Sequence, residues 1–216
     1  DGPEGINPPI YPCAAGILPA RRLNIMINSF SLTPPVIPIR YFLGMVVRRR
    51  LKISGPALVF VTMTTFDRIP YFSNREFAMA GLDQLRRELE RFRVSLVGYV
   101  LMPTHFHGLF GFREIDELSK FVHGFKRRSA LRVKDILAQK CEIGRHSQFN
   151  LWKPRFDDLI ITSEEQFRIK LNYIHQNPVK AGLATSQTGW KYSSASDYSG
   201  EDNGLLEIDR NFKWLI

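Results

Sequence analysis

The sequence predicts an α+β domain in which a four-stranded antiparallel sheet carries helices on one face. Three observations predict it. Short runs rich in β-branched and aromatic residues alternate with longer stretches whose apolar residues recur at three- and four-residue steps. Two of the strand-like runs are separated only by Pro103-Thr104, a break the size of a hairpin turn. An apolar fraction of 44% over 216 residues is enough for one sizeable core.

Residues 1–54 stand apart from the rest. Pro3, Pro8, Pro9, Pro12, Pro19, Pro34, Pro35 and Pro38 interrupt every candidate helix or central strand. This segment is expected to be a Pro-rich, poorly ordered N-terminal arm. The chain begins at Asp1, and Met26 and Met45 are alternative candidate starts. Just after Met45, Arg48-Arg49-Arg50-Leu51-Lys52 forms a basic cluster that suits phosphate or a solvated surface equally.

The folded domain is expected over residues 55–183. Ala57 to Thr65 reads as a strand buried on at least one face. Asp67-Arg68-Ile69-Pro70 makes a turn, and Ser73 or Asn74 caps a helix that runs to about Phe92. Phe77, Ala78, Leu82, Leu85 and Leu89 form the apolar side of that helix. Val94 to Met102 is a second strand and His105 to Gly111 a third. Ile115 to about Leu137 is a second helix, buried through Leu118, Phe121, Val122, Phe125, Val133, Ile136 and Leu137. Leu151 to Ile161 reads as a fourth strand, and Pro154 near its start favours a sheet edge.

Ser163-Glu164-Glu165-Gln166 is a capping box for a third helix. That helix passes through Phe167, Leu171 and Ile174. It is expected to stop at Asn177, because Pro178 pushes the residue before it out of the α region. Residues 184–216 form a tail with Trp190, Tyr192, Tyr198, Leu205, Leu206, Phe212 and Trp214 available to pack on the body. The order β-α-β-β-α-β-α is ferredoxin-like, with an extra C-terminal helix that carries Tyr173. Two helices then cover one sheet face and leave the other open to a ligand.

The charge balance points to the partner. Lys and Arg number 30 against 21 Asp and Glu, a formal net charge of +9. Such a balance favours a polyanion, nucleic acid first. Cys13 and Cys141 lie far apart and make no metal or redox motif, which fits a reducing, cytoplasmic setting. No apolar run approaches the ~20 residues that span a bilayer. The N-terminus lacks the ordered basic, apolar and small-residue regions of a secretory leader.

The chemistry-bearing stretch is Tyr99-Val-Leu-Met-Pro-Thr-His-Phe-His-Gly-Leu-Phe110. On a strand, His105 and His107 share a face and Phe106 points to the other, into the core. Imidazoles two residues apart, roughly 6–7 Å along a strand, can share a divalent metal. An isolated His-x-His pair is equally often two unrelated histidines. The third helix supplies Tyr173 and Asn177, which lie four residues apart on one side. The phenol is a candidate nucleophile, and the amide oxygen of Asn177 is a candidate third ligand to a metal that polarises phosphate. A rim aromatic and a helix-terminal amide are the plainer readings of the same two residues. His175 is a weaker candidate ligand, about 200° around the helix from Tyr173.

Three separated motifs now add to one another: the His-x-His stretch, Trp152-Lys-Pro-Arg-Phe-Asp-Asp158, and Tyr173-Ile-His-Gln-Asn-Pro-Val-Lys-Ala-Gly-Leu183. In that order they resemble the single-tyrosine HUH transposases, and among these the REP-associated tyrosine transposases. The resemblance runs from about residue 56 to the end, including Gly189-Trp-Lys-Tyr-Ser-Ser-Ala195. It implies that His105 and His107 are metal ligands, that Tyr173 is the nucleophile and that Asn177 is the third ligand. It implies cutting and rejoining of single-stranded DNA, often near a hairpin, through a 5′-phosphotyrosine and a free 3′-OH. Relatives act as monomers or as dimers that exchange helices.

Elementary chemistry is consistent with these roles. A phenol has a pKa near 10, and a nearby cation lowers it. Two neutral imidazoles and an amide leave a Mg²⁺ or Mn²⁺ ion at full charge, although the residue types also admit Zn²⁺. Lys126, Arg127, Arg128, Lys153 and Arg155 are the expected phosphate contacts, and Trp152 and Phe156 are candidates either to stack bases or to fill the core. Two rival functions stay open: a DNA-binding module without chemistry, and a metal-dependent phosphoesterase that activates water while Tyr173 is structural.

Overall fold

The computed structural model describes residues 54–140, 142–144, 147–201 and 205–213, all within one compact unit, Lys52–Ile216. Residues 1–53 of the expected N-terminal arm with its basic cluster, both cysteines and Trp214 lie outside the described residues. The elements are β1 (Ala57–Thr64), α1 (Arg75–Phe92), β2 (Ser95–Met102), β3 (His105–Phe112), α2 (Leu118–Gln139), β4 (Asp157–Ile161), α3 (Glu164–Lys180) and the short α4 (Ala195–Tyr198). The four strands form one antiparallel sheet in the order β2-β3-β1-β4. Sequence order and sheet order together make the ferredoxin-like arrangement.

Period-2 alternation divides the sheet into two chemical faces. Val59, Val61 and Met63 of β1, Tyr99 and Leu101 of β2, and Phe106 and Phe110 of β3 face α1 and α2, which close over them with Leu82, Leu85, Phe121 and Phe125. Leu58, Phe60, Val97, Val100 and Leu109 face the other way and meet Ile174 of α3. The second face is therefore not open, as the sequence suggested, but partly covered by α3. Gly98 permits the approach: a Cβ there would lie 2.7 Å from Leu171 Cδ1 and 3.5 Å from Ser194 Oγ.

The helix ends follow from local chemistry. The Asn74 side chain accepts from the N–H of Glu76 at 2.8 Å, and Arg93 ends α1 in the left-handed region at φ 51°. Ser163 Oγ accepts from Gln166 N–H at 3.2 Å, while Gln166 Oε1 reaches one residue past the cap to Thr162 N–H at 3.0 Å. Two expectations fail here. α3 continues through Pro178 to Lys180, because a proline in a last turn forfeits one hydrogen bond and the turn is repaired beyond it. Leu183 N–H donates to Pro178 O at 2.9 Å and Gly182 N–H to Val179 O at 3.0 Å, with Gly182 at φ 68°. The fourth strand is shorter than expected. Pro154 detaches Leu151-Trp152 from it, and Trp152 instead bridges Thr65 beyond the end of β1. β4 is an edge strand, as its proline suggested.

The tail runs along the outer edge of β2. Leu101 N–H donates to Tyr192 O at 2.8 Å, Ser194 N–H to Tyr99 O at 3.0 Å, and Asp209 N–H to Leu96 O at 2.8 Å. Trp190 Nε1 donates to Leu101 O at 2.9 Å and the Tyr198 hydroxyl to Val97 O at 2.8 Å. An edge that would otherwise expose unpaired backbone groups is thereby paired within the chain.

Candidate active site

The β1–β3 register sets Thr62 opposite His107 and Thr64 opposite His105. Both histidines project to the face that carries α3, and Phe106 between them is buried on the helix side, as alternation requires. The two rings lie 4.8 Å apart at their centroids. Each Nδ1 is held by a threonine: Thr62 Oγ1 is 2.8 Å from His107 Nδ1, and Thr104 Oγ1 is 3.0 Å from His105 Nδ1. Phe60 stacks on His107 at 5.5 Å and 17°.

Burial dominates the electrostatics of the pair. It pushes His107 down to about 3, helped by the charges of His105 and Lys170. His105 is also held below the usual histidine range by burial. A hydrogen bond with Asn177 opposes that shift and the charge of Arg68 adds to it. Both imidazoles are neutral at pH 7, the form in which a ring nitrogen ligates a metal.

α3 lays its own groups over them. The Tyr173 hydroxyl is 3.5 Å from His107 Nε2 within the same chain, and its ring sits edge-on to His107 at 5.1 Å and to Phe60 at 6.1 Å. Tyr173 is 39% exposed, so the phenol is open to a large substrate. One turn on, Asn177 hydrogen-bonds His105, and its Nδ2 is buried without a hydrogen-bond partner among the described residues. One turn earlier, Lys170 Nζ lies 4.9 Å from the Phe60 ring centroid and 5.8 Å from that of Tyr173.

The donor chemistry fits a divalent cation. Among the described residues no three His, Cys, Asp or Glu side chains converge, so a third donor beside the histidines has to be another group. Asn177 supplies an amide beside His105 whose oxygen is the candidate third donor, while its buried Nδ2 is a hydrogen-bond donor lacking an acceptor, a need that a phosphate oxygen rather than a cation would meet. Two imidazoles and an amide add no negative charge to whatever they hold.

The expected phosphate contacts divide. Arg127, Lys153 and Arg155 are exposed. Lys153 N–H donates to Thr64 O at 2.9 Å, and Thr64 pairs with His105 across β1 and β3, so the 152–155 segment flanks the site. Lys126 is not free for phosphate. It is 8% exposed, and Nζ donates to the carbonyls of Lys153 at 2.6 Å, Pro154 at 2.9 Å and Arg155 at 3.3 Å. Arg128 is committed to Glu88, and Trp152 is a core residue whose Nε1 donates to Ser129 Oγ at 2.9 Å. Phe156 is half-buried against His123 at 6.0 Å. His175 is structural: it is buried, its Nε2 lies 2.9 Å from Ser194 Oγ, and burial pushes it down to about 4.

Thr62, Phe60 and Lys170 were not read as site residues from the sequence. The first two depend on the β1–β3 register, which the chain does not spell out. Lys170 had a signal, its three-residue spacing from Tyr173 on a helix.

The residues on which the resemblance rests, His105, His107 and Tyr173, thus meet within one chain. The family model for IS200-like transposases matches residues 59–177, more than half of the chain. The chain belongs to that family. It is 27% identical over 111 residues to the REP-associated tyrosine transposase of Escherichia coli strain K12, covering 51% of this chain and 59% of that protein. The chain thus spans about six-tenths of the length of that curated relative. The structure of a REP-associated tyrosine transposase bound to a REP hairpin superposes with a TM-score of 0.56 and 23% identity, over 74% of this chain and 88% of the other. At that identity the likeness concerns the fold.

Proposed function

We propose that this protein cuts and rejoins single-stranded DNA through a covalent bond to Tyr173, beside a hairpin of the kind its relative binds. The observation that carries the reading is the 3.5 Å from the Tyr173 hydroxyl to His107 Nε2 within one chain. Membership of a transposase family supports it, as does the net charge of +9. A single chain brings all the groups together, which favours a monomeric active unit, and no helix among the described residues is long and apolar enough to cross a membrane. A DNA substrate is consistent with a cytoplasmic setting.

In this mechanism Tyr173 Oη forms a bond to phosphorus and the bond from phosphorus to the 3′ oxygen breaks. The phenolic proton passes to solvent and the 3′ oxygen leaves as a hydroxyl after taking one up. The 5′ phosphate stays on Tyr173, so the energy of the broken ester is kept for rejoining. His105, His107 and Asn177 would hold Mg²⁺ or Mn²⁺, which when bound supplies Lewis-acid polarisation of the phosphate. Thr62 and Thr104 fix the two rings through Nδ1, as partners of metal-ligating histidines do. Arg127, Lys153 and Arg155 draw in the DNA backbone.

The test uses single-stranded oligonucleotides containing hairpins, labelled at either end, with Mg²⁺ or Mn²⁺. The 3′-labelled strand should become a protein adduct on a denaturing gel, and the 5′-labelled strand a shorter product ending in 3′-OH. The adduct should vanish in Tyr173→Phe; an adduct that survives this change rules Tyr173 out. Cleavage with no adduct would identify a hydrolase that activates water. Binding without cleavage, unaltered by His105→Ala, would identify a non-catalytic DNA-binding descendant.

A further inference from the structure

Lys170 is a charged group beside Tyr173 that the proposed mechanism leaves unused. It lies one helical turn before the tyrosine, on the same side of α3. It is half-buried, and among the described residues no carboxylate pairs with it. It rests over two rings, Phe60 and Tyr173, at 4.9 and 5.8 Å. Its charge reaches the floor of the site, where it disfavours protonation of His107.

This placement is uneconomical as packing. A cation over aromatic rings at a partly exposed site gains little, and a half-buried ammonium gives up part of its hydration. Other basic residues facing the body are matched: Arg128 with Glu88, Arg132 with Asp83, and Lys126 with three carbonyls. Lys170 instead stands beside a phenol and two neutral imidazoles, with no anion to neutralise it. An anion brought in by a substrate at Tyr173 would meet this ammonium, which has no carboxylate partner among the described residues.

We propose that Lys170 is a catalytic residue of strand transfer, its ammonium donating to a non-bridging oxygen of the scissile phosphate beside Tyr173. The inference rests on the tyrosine-nucleophile reading and extends it. A phosphodiester carries one negative charge, and gains a second as the phenolate oxygen adds. A fixed cation at that oxygen is worth more in the transition state than in the bound ground state. Lys170 stays protonated throughout: the Tyr173–phosphorus bond forms, the bond to the 3′ oxygen breaks, and the ammonium keeps its three protons. The shelf formed by Phe60 holds the ammonium over the site rather than letting it sweep through solvent.

The experiment compares the full chain with Lys170→Met, Lys170→Gln and Lys170→Arg in single-turnover adduct formation at saturating DNA, alongside equilibrium binding of the same oligonucleotide. Thermal unfolding of each variant checks that it is folded. Met and Gln should slow the covalent step about 100-fold, the usual effect of removing one transition-state donor, while the dissociation constant changes less than about threefold. Arg should restore most of the rate. Rejoining from a preformed adduct should slow by the same factor, since the same transition state is crossed. A folded Met or Gln variant that forms adduct at the parental rate overturns the proposal and leaves Tyr173 untouched. So does a loss confined to binding, with the saturated rate unchanged. If the unaltered chain forms no adduct, the nucleophile reading falls and Lys170 falls with it.

Discussion

Replacing Arg128 by methionine separates a phosphate contact from a structural ion pair. Arg128 was expected on composition to touch DNA, but its guanidinium is bidentate on Glu88, tying α2 to α1. Glu88 has a side chain 1% exposed and, among the described residues, also accepts from Gln84 Nε2 at 2.7 Å. Gly124 makes room for the pair: a Cβ there would meet the Arg128 guanidinium and lie 3.1 Å from Glu88 Oε2. Removing one partner of a buried pair costs about 3–5 kcal/mol because the other charge is stranded. The Arg128 side chain is 31% exposed, so water reaches the vacated volume and a cost at or below the bottom of that range, about 2–3 kcal/mol, is expected. In a body of this size that lowers the melting temperature by roughly 4–12 °C. Thermal unfolding at pH 7 reads it, and Glu88→Leu combined with Arg128→Met should recover part of the loss. Single-stranded DNA affinity, measured well below the transition, should stay within about twofold of the parent, against a drop of tenfold or so in salt-dependent affinity for Arg127→Ala with Lys153→Ala. An Arg128→Met protein with an unchanged melting temperature and weakened DNA binding would refute the reasoning.

Three further changes probe how the site is held. Gly98→Val should drive Leu171 off the sheet and move Tyr173 with α3. A displacement near 1 Å costs about 100-fold in the covalent step, and a rate within threefold of the parent in a folded variant would show that α3 is not seated by Gly98. Lys126→Met should leave the carbonyls of 153–155 to solvent, costing about 1–2 kcal/mol and raising hydrogen exchange across 152–156; unchanged exchange would show that the ammonium does not anchor that segment. His175 is held at about 4 by burial, below its ordinary 6.5, so its stabilisation is complete above pH 6.5. As pH falls from 6.5 towards 4 the unfolded chain takes up a proton that the folded His175 refuses, which removes up to about 3 kcal/mol. His107 adds a loss of the same sign. Denaturant unfolding from pH 7 to pH 4 should therefore be flatter in His175→Gln, and an equal slope would assign the acid sensitivity elsewhere.

The skeleton of this fold is written in local chemistry. β-branched runs, the caps Asn74 and Ser163, and the two-residue break at Pro103-Thr104 act over a few residues, so a linear reading finds them. The His-x-His spacing is equally local, and Phe106 falls on the core side that alternation demands. What the chain hides is partnership at long range. Glu88 is 40 residues from Arg128, and the carbonyls around Lys126 are 27 to 29 residues away, so three adjacent basic residues look alike in sequence and split into one exposed and two committed. Trp152 is followed by Lys153 and Arg155 and still belongs to the core, where Ser129 across the fold takes its N–H. Pro178 misled for the opposite reason. Its local veto is real, but Gly182 four residues on completes the helix end with φ 68°.

Ser194 bears on how much of the chain makes a working unit. Its Oγ accepts from Tyr99 N–H at 2.9 Å, on the face where β2 and α3 meet, and lies 2.9 Å from His175 Nε2 on the helix that carries Tyr173. One hydroxyl therefore pins the tyrosine helix, the hairpin strand and the tail at a single joint. A fragment cut after residue 183 would keep Tyr173, both histidines and Asn177, and would still lose the clasp that sets the helix over the sheet. On the mechanism proposed above, the smallest piece that keeps this clasp extends at least through Ser194, well past Asn177.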